Sequence, residues 1–112
     1  MSKKIKHAYS AYSKDAMRLL GASIRAERKV KKMTEQDLAD RVGVSRSFIW
    51  RLEKGDMRCE IGAVFEAANI VGIPLFDMEP SRLAVHTRQV EDKLKLLPKA
   101  IHKKEKVIAV DF

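Results

Sequence analysis

The chain has 112 residues, of which 46% are hydrophobic and 34% are charged, and its formal net charge at pH 7 is +8. This composition predicts one globular domain with a modest core and excludes a disordered chain, and apolar runs of only a few residues exclude a membrane-spanning helix and a secretory signal. The one cysteine, Cys59, cannot form an internal disulfide, so we expect a cytoplasmic protein.

The first predicted helix follows a short basic segment. Residues 1–12, "MSKKIKHAYSAY", show no sustained period and are expected to form a flexible basic arm. Ser13 is a predicted N-cap. Three apolar residues then recur at helical spacing, namely Met17, Leu20 and Ile24. The cations of "RKVKK" suit the negative end of a helix dipole, so the pattern predicts a helix over residues 14–31.

Two helix starts follow one another closely in "MTEQDLADRVGVSRSFIWRLEKG". Thr34 with Asp37 three residues later is a capping-box pair, which predicts the start of one helix. Gly43 ends that helix, because glycine adopts the left-handed conformation of the C′ position without steric cost. Ser45 is the predicted N-cap of the next helix. The stretch from about residue 34 to residue 54 therefore predicts helix, three-residue turn, helix.

The second of these helices has two unlike faces. At 100° per residue, its apolar side chains fall on one side: Phe48, Ile49 and Leu52. The opposite side presents Arg46, Ser47, Trp50 and Arg51. Because a short helix can enter a major groove about 12 Å wide, we predict that this opposite side reads DNA.

Each residue on that side has a predicted role on DNA. Arg46 and Arg51 suit guanine edges, and Ser47 suits either base pair. Trp50 could contact a thymine methyl group or a sugar. At Ser45, where the helix begins, the backbone N–H groups could bind a phosphate. The alternatives are surface solvation for the arginines and packing beneath a neighbouring loop for Trp50.

Further helices are predicted in the second half of the chain. A fourth helix is predicted over about residues 60–71, because apolar residues recur there at helical spacing: Ile61, Val64, Ala67, Ala68 and Val71. Pro74 suits the first position of a short fifth helix. An amphipathic helix then spans residues 80–97 and is stopped by Pro98. Residues 98–112 are expected to be a flexible tail, whose last residues, 107–112, could add a strand to a partner.

Two apolar surfaces are candidates for contacts with a partner or a second copy. One is the cluster after the fourth helix, formed by Ile73, Leu75 and Phe76. The other is the apolar line of the amphipathic helix, formed by Leu83, Val90, Leu94 and Leu97. Packing of that line on the chain's own domain is the alternative.

The residue types present do not favour an enzyme. The histidines His7, His86 and His102 are scattered, no His or Cys pair has metal-ligand spacing, and no Gly-rich phosphate loop occurs. We expect no catalysis, no metal and no cofactor. The charge is uneven, with +7 over residues 1–31, −3 over residues 32–80 and +4 over residues 81–112. Basic ends favour a polyanionic partner such as nucleic acid, and a well-solvated surface is the alternative.

About residues 20–77 resemble a known family. The stretches "LGASIRAERKVKKMTEQDLADRVGVSRSFIWRLEKGD" and "IGAVFEAANIVGIPLF" are similar to the phage-repressor-like helix-turn-helix regulators of the XRE, or Cro/C1, class. The resemblance implies an all-α fold, in which residues 13–79 form a five-helix DNA-binding domain and an additional C-terminal amphipathic helix precedes the flexible tail. It also implies that residues 45–54 are the recognition helix and that double-stranded operator DNA is the partner.

The same resemblance implies roles for single residues. The family's base-reading positions match Arg46, Ser47 and Arg51, and its buried ion pair maps onto Arg28 and Glu53.

One position departs from the family. Where the family commonly has a Gln that binds a phosphate, this chain has Glu35, whose carboxylate repels phosphate. The neighbouring Gln36 is expected to replace that contact. Lys54 and Arg58 are further candidate DNA-binding residues, and together with the cations of the first helix they must offset the acidic middle segment. The basic arm or the C-terminal segment is therefore expected to supply part of the phosphate affinity.

A narrower resemblance depends on "IGAVFEAANIVGIPLFD", "LKLLPKAI" and "AVDF". These stretches look like the HipB-like regulators that accompany HipA-type kinase toxins. The resemblance implies a homodimer that represses its own toxin-antitoxin operon and binds the kinase toxin, in some systems together with a separate accessory antitoxin. Alternative hypotheses are a stand-alone phage-type repressor, and an interaction adaptor in which the helix-turn-helix is mainly a scaffold. RNA binding is disfavoured because no aromatic stacking platform is evident.

Overall fold

The computed structural model describes residues 8–103, and every regular element within that range is helical. The α-helices are α1 (Ala11–Val30), α2 (Glu35–Val42), α3 (Arg46–Glu53), α4 (Ile61–Val71) and α5 (Pro80–Leu96). A short 3-10 turn, Leu75–Asp77, follows α4. The all-α prediction is confirmed. Most of the predicted arm and residues 107–112 of the predicted tail lie outside the described residues.

The chain divides into two compact units, Met1–Asp77 and Met78–Phe112. In the first unit, α1 and α2 each contact both α3 and α4. Nine buried apolar side chains form the core of this unit: Ile24, Leu38, Ala39, Ile49, Leu52, Val64, Ala67, Ala68 and Val71. Full burial of one large aliphatic side chain contributes about 1.5–3 kcal/mol, so this core supplies much of the free energy that holds the four helices together.

The start of α1 corrects the sequence prediction. The helix begins at Ala11 rather than at residue 14, and its N-cap is Ser10 rather than Ser13. Ser10 Oγ accepts a hydrogen bond from the backbone N–H of Ser13 at 3.1 Å. Both serines are good caps, and the earlier one is used because Ala11 and Tyr12 tolerate the first helical turn. Residues 11 and 12 of the predicted arm therefore belong to α1.

The caps of α2 and α3 form as predicted. Thr34 Oγ1 accepts from the N–H of Asp37 at 3.0 Å, and Asp37 Oδ2 accepts from the N–H of Thr34 at 2.9 Å. The backbone N–H of Thr34 is the larger cause of a lowered pKa of Asp37, and the Thr34 side chain lowers that pKa further. Gly43 has φ of 86°, in the left-handed region, and ends α2. Ser45 Oγ accepts from the N–H of Phe48 at 3.1 Å and begins α3.

The backbones of α1 and α3 meet at Gly21. A Cβ atom at this position would collide with the carbonyl oxygen of Leu52 and lie 3.2 Å from that of Glu53. Only glycine therefore permits this approach, which brings the last turn of α3 directly against α1.

The predicted short fifth helix of the first unit is a single 3-10 turn. Phe76 and Asp77 have φ of 55° and 57°. Residues in this left-handed region cannot continue a right-handed helix, so the turn initiated after Pro74 stops at once. The ring of Phe76 is 69% exposed, with its centroid 6.1 Å from that of Phe65 in an edge-on arrangement.

The second unit contains α5, which begins with Pro80 in its first turn. None of its residues is buried in the described part of the chain. No helix among residues 8–103 combines the length and apolar character needed to cross a membrane.

Candidate nucleic-acid interface

The two faces of α3 are those that the sequence predicts. Ile49 and Leu52 are fully buried, and Phe48 packs against the core at its edge. On the opposite side Arg46, Ser47 and Lys54 are exposed, and Trp50 is 52% exposed. An indole of this size turned half into solvent leaves a large flat contact surface next to two cations.

A buried ion pair fixes α3 to α1. Arg28 Nε and Nη2 donate to Glu53 Oε2 and Oε1 at 2.7 and 2.9 Å, and Arg28 Nη1 donates to the carbonyl of Met33 at 2.9 Å. The hydrogen bonds to Glu53 raise the pKa of Arg28. Because both carboxylate oxygens and three guanidinium donors are used, the pair holds α3 against α1 and against the turn before α2.

Glu35 turns toward this ion pair. Its Oε2 lies 4.0 Å from Arg28 Nη2, and its side chain is 28% exposed. The Glu35 carboxylate therefore interacts electrostatically with a buried guanidinium. The neighbouring Gln36 donates to Asp40 Oδ1 at 2.8 Å, so its amide is partly engaged within α2.

A surface cleft of about 630 Å³ lies between the C-terminal half of α1, the start of α2 and the outward side of α3. Its lining residues are Arg25, Arg28, Lys29, Met33, Thr34, Glu35, Gln36, Arg46, Trp50, Glu53 and Lys54. Five of them are cations and two are carboxylates, so the cleft attracts anions. Lys54 Nζ lies 5.2 Å from the centroid of the Trp50 ring, which is a cation–π contact.

The structure places Arg51 on the other edge of α3, away from the cleft residues. Its guanidinium carbon lies 5.4 Å from the centroid of the Phe48 ring, and its Nη1 lies 3.5 Å from Asp56 Oδ2. The Arg51 side chain is 38% exposed. The predicted base readers therefore occupy two different edges of the same helix, with Trp50, Lys54 and Ser47 between them.

Asp56 binds two arginines at that second edge. It accepts from Arg58 through the backbone N–H at 2.8 Å and through Nε at 3.2 Å, in addition to the longer contact with Arg51. The side-chain bond from Arg58 has the largest effect, and together these groups lower the pKa of Asp56 to about 2. Arg58 itself remains largely exposed, which leaves much of its guanidinium accessible.

Several contributors to this interface were missed by the sequence analysis. Arg25 and Lys29 were counted only as helix charges, although their i,i+4 spacing places them on one face of α1, beside the cleft. Asp56 follows α3 in a turn without any period, so no spacing pointed to it. The contact between Glu35 and Arg28 also has no local signal, because the two residues belong to different helices.

The predicted partner surfaces differ from one another in exposure. Ile73 and Leu75 pack against the core of the first unit, whereas Phe76 is exposed. In α5, Leu83 is partly exposed, and Val90, Leu94 and the following Leu97 are exposed.

Residues 24–77 match a family model described as helix-turn-helix. Over these residues the chain is similar to the helix-turn-helix domains of the XRE family. Proteins of this family are DNA-binding transcription regulators and are generally not enzymes. The match includes α2, α3 and the last seven residues of α1, and so contains all residues that line the cleft. No curated protein is significantly similar to the chain.

In a helix-turn-helix domain, the second helix of the motif lies in the major groove and its N-terminal residues contact base edges. In this domain that helix is α3, and Arg46 and Ser47 are its first two residues. Among residues 8–103, no group of three or more His, Cys, Asp or Glu side chains is placed to hold a metal ion.

Proposed function

We propose that this chain is a homodimeric, sequence-specific repressor of its own operon, and that the operon encodes a toxin-antitoxin pair of the HipA and HipB type. The observation that carries the DNA-reading part is the exposed side of α3, held rigidly by its buried side and by the Arg28–Glu53 pair. A reading helix must be held in this way, because base contacts require a fixed orientation.

Arg46 is the main base reader in this proposal. It is exposed, lies in the first turn of α3, and forms no ion pair among the described residues. Its guanidinium is therefore available for two parallel hydrogen bonds to a guanine. Arg51 forms an ion pair with Asp56, so we assign it to the edge of the site. There it would contact a phosphate or a second base edge.

The cleft supplies the phosphate contacts. Arg25 and Lys29 from α1 and Lys54 from α3 surround it, and Lys54 is already oriented by the Trp50 ring. The Glu35 carboxylate lies among these cations, close to Arg28, so its repulsion of phosphate is reduced without being removed. Gln36 can still donate its second amide N–H to a phosphate of the DNA.

The DNA-binding part is tested with the DNA upstream of the chain's own gene and a random duplex of equal length. We expect binding to the upstream DNA whose affinity falls linearly with the logarithm of salt concentration. Arg46→Ala should lose about 1–3 kcal/mol on the upstream DNA and relax base preference at one position per half-site.

Arg41→Ala is the matched control, because Arg41 is exposed on α2 and does not line the cleft. It should leave base preference unchanged. Equal weakening of Arg46→Ala on both duplexes would exclude Arg46 as a base reader. Absence of any salt-dependent binding to the upstream DNA would exclude the repressor and favour the adaptor hypothesis.

The toxin-antitoxin part is supported by the sequence resemblance to HipB-like regulators, and it is tested separately. The gene next to that of this chain should encode a HipA-type kinase, and the two proteins should purify together from a co-expression. A chain that binds its upstream DNA but has no neighbouring kinase gene would be a stand-alone repressor.

A further inference from the structure

Four residues of α5 and its C-cap residue, Leu97, lie at heptad spacing. The positions 83, 87, 90, 94 and 97 are separated by 4, 3, 4 and 3 residues, which is the alternation of d and a positions in a coiled coil. They are occupied by Leu83, Thr87, Val90, Leu94 and Leu97. Val90 and Leu94 are 54% and 61% exposed, so this stripe offers apolar area that the described chain leaves open to solvent.

Thr87 is the single polar residue of the stripe. A hydroxyl buried in an apolar seam is costly unless it is hydrogen-bonded. Thr87 Oγ1 donates to the carbonyl of Leu83 at 2.9 Å within its own helix. The hydroxyl therefore already has a partner, and Thr87 can enter a seam without leaving an unpaired donor.

The residues beside the stripe distinguish between partners and orientations. In this register His86 and Lys93 occupy g positions and Glu91 occupies an e position. In a parallel pair, His86 of one copy faces Glu91 of the other, which is favourable. In an antiparallel pair, His86 faces Lys93, so two groups that carry or accept positive charge are opposed. The flanks therefore fit a second, parallel copy of the same helix.

We propose that α5 pairs with α5 of a second copy as a parallel, in-register, two-stranded coiled coil. The inference deepens the proposed function, because it assigns the dimer interface of the repressor. It selects the α5 stripe over the apolar cluster after α4, in which Ile73 and Leu75 already pack against their own core.

The length of α5 explains how this interface works with DNA. Seventeen helical residues give little more than two heptads, so the isolated pair is weak. Two domains bound to neighbouring half-sites raise the effective concentration of one α5 for the other to the millimolar range. Pairing of the helices then stabilises occupation of both half-sites together, which gives cooperative binding.

The test is disulfide cross-linking of the full-length chain at high protein concentration without DNA, because a covalent bond accumulates even from a weak, transient pair. Cys59 is the only cysteine, so Cys59→Ser gives a cysteine-free background. We expect Val90→Cys in that background to form a covalent dimer on mild oxidation. Leu96→Cys is the matched control, because Leu96 is 86% exposed on the same helix but lies off the stripe. It should stay monomeric.

Orientation and energetics are tested with further variants. A mixture of Thr87→Cys and Val90→Cys chains that forms mainly the mixed dimer would show antiparallel pairing and overturn the proposal. Equal dimer yields from Val90→Cys and Leu96→Cys, or no dimer from Val90→Cys, would also overturn it. Leu94→Glu should lower the cross-linking yield of Val90→Cys, while Leu96→Glu should not.

The readout is independent of the proposed function. A chain that cross-links through Val90 but ignores its upstream DNA would retain this interface and lose the repressor assignment. A chain that binds its upstream DNA but does not cross-link would retain the repressor assignment and lose this interface. Circular dichroism of each variant checks that α5 and the domain remain helical.

Discussion

Arg28 joins α3 to two other parts of the domain. Its guanidinium donates to Glu53 of α3 and to the Met33 carbonyl, and it lies near Glu35 of α2. In the described part of the chain no buried side-chain polar atom lacks a hydrogen-bond partner. A fully satisfied network of this kind specifies one arrangement of the helices, and loss of one member exposes the others to a large desolvation cost.

Arg28→Met should destabilise the domain by about 3–5 kcal/mol, because it leaves the Glu53 carboxylate buried without a partner. The double variant Arg28→Met with Glu53→Leu should recover much of that loss, since it removes both charges. Urea denaturation followed by circular dichroism measures both. A single variant as stable as the double one would show that the pair does not hold α3 in place.

We expect Glu35 to weaken phosphate binding on all DNA sequences alike. Glu35→Gln removes a negative charge from the cleft, and it should tighten binding to operator and random DNA equally, by about 0.2–1 kcal/mol. Fluorescence anisotropy at several salt concentrations measures the effect. Glu66→Gln, an exposed position on α4, is the control and should change little. A gain confined to one DNA sequence would assign Glu35 to base reading.

The separation of Arg46 from Arg51 shows what the sequence could and could not predict at this scale. Periodicity predicts that both point away from the core, because rotation per residue depends on local geometry alone. Their different surroundings depend on Asp56 and Arg58 in the turn after α3, and on Arg25 and Lys29 of another helix. These contacts join residues that have no fixed spacing in the sequence, so no sequence pattern predicts them.

At the scale of the element, the predicted boundaries are accurate where a short-range hydrogen bond defines them. The capping box of α2, the left-handed Gly43 and the Ser45 cap of α3 all depend on residues within three or four positions. The start of α1 was predicted too late because two serines could serve as its cap. A short helix was predicted where the structure has a single 3-10 turn, because the residue type of Phe76 does not indicate its left-handed backbone.

The turn after α3 should make stability depend on acid pH. Asp56 has its pKa lowered from 3.8 to about 2, so the native state binds this proton less readily than the unfolded chain. Its contribution to stability is present above about pH 4 and is lost as the pH falls toward 2. The difference in melting temperature between the natural chain and Asp56→Asn should therefore be constant above pH 4 and become smaller below pH 4.

Arg58→Gln provides the matched comparison, because the side chain of Arg58 is the largest cause of the lowered pKa. In that background the contribution of Asp56 should disappear at a higher pH than in the natural chain. A difference in melting temperature that does not change between pH 4 and pH 2 would mean that the Asp56 clamp is not formed in solution.

For the whole molecule, the uneven distribution of charge along the chain agrees with separate segments for base reading and for attraction to DNA. The acidic segment over residues 32–80 contains α2 and α3, while the basic segments lie on either side of it in the sequence. Base reading by a few residues needs little charge, whereas long-range attraction to DNA needs a basic surface. We therefore expect the flanking segments to contribute more to the salt dependence of binding than to its sequence preference.

The spacing of the half-sites is the prediction that belongs to the dimer. A two-fold pair of reading helices requires half-sites about 34 Å, or roughly one turn of DNA, apart. Insertion of about 5 base pairs between them places them on opposite faces of the duplex and should abolish cooperative binding, while about 10 should restore much of it. Footprinting on the three spacings measures this. Equal protection on all three would show that each copy binds alone.

Gly21 has a consequence for how this domain can acquire new targets. Because the main chain of α1 touches that of α3 there, the pose of the reading helix does not depend on the side chains that it turns outward. Positions 46, 47 and 50 can then be exchanged without disturbing the support of the helix. Recognition can diverge by a few surface substitutions while the fold stays constant, and the same independence makes the domain a suitable scaffold for repressors of chosen operators.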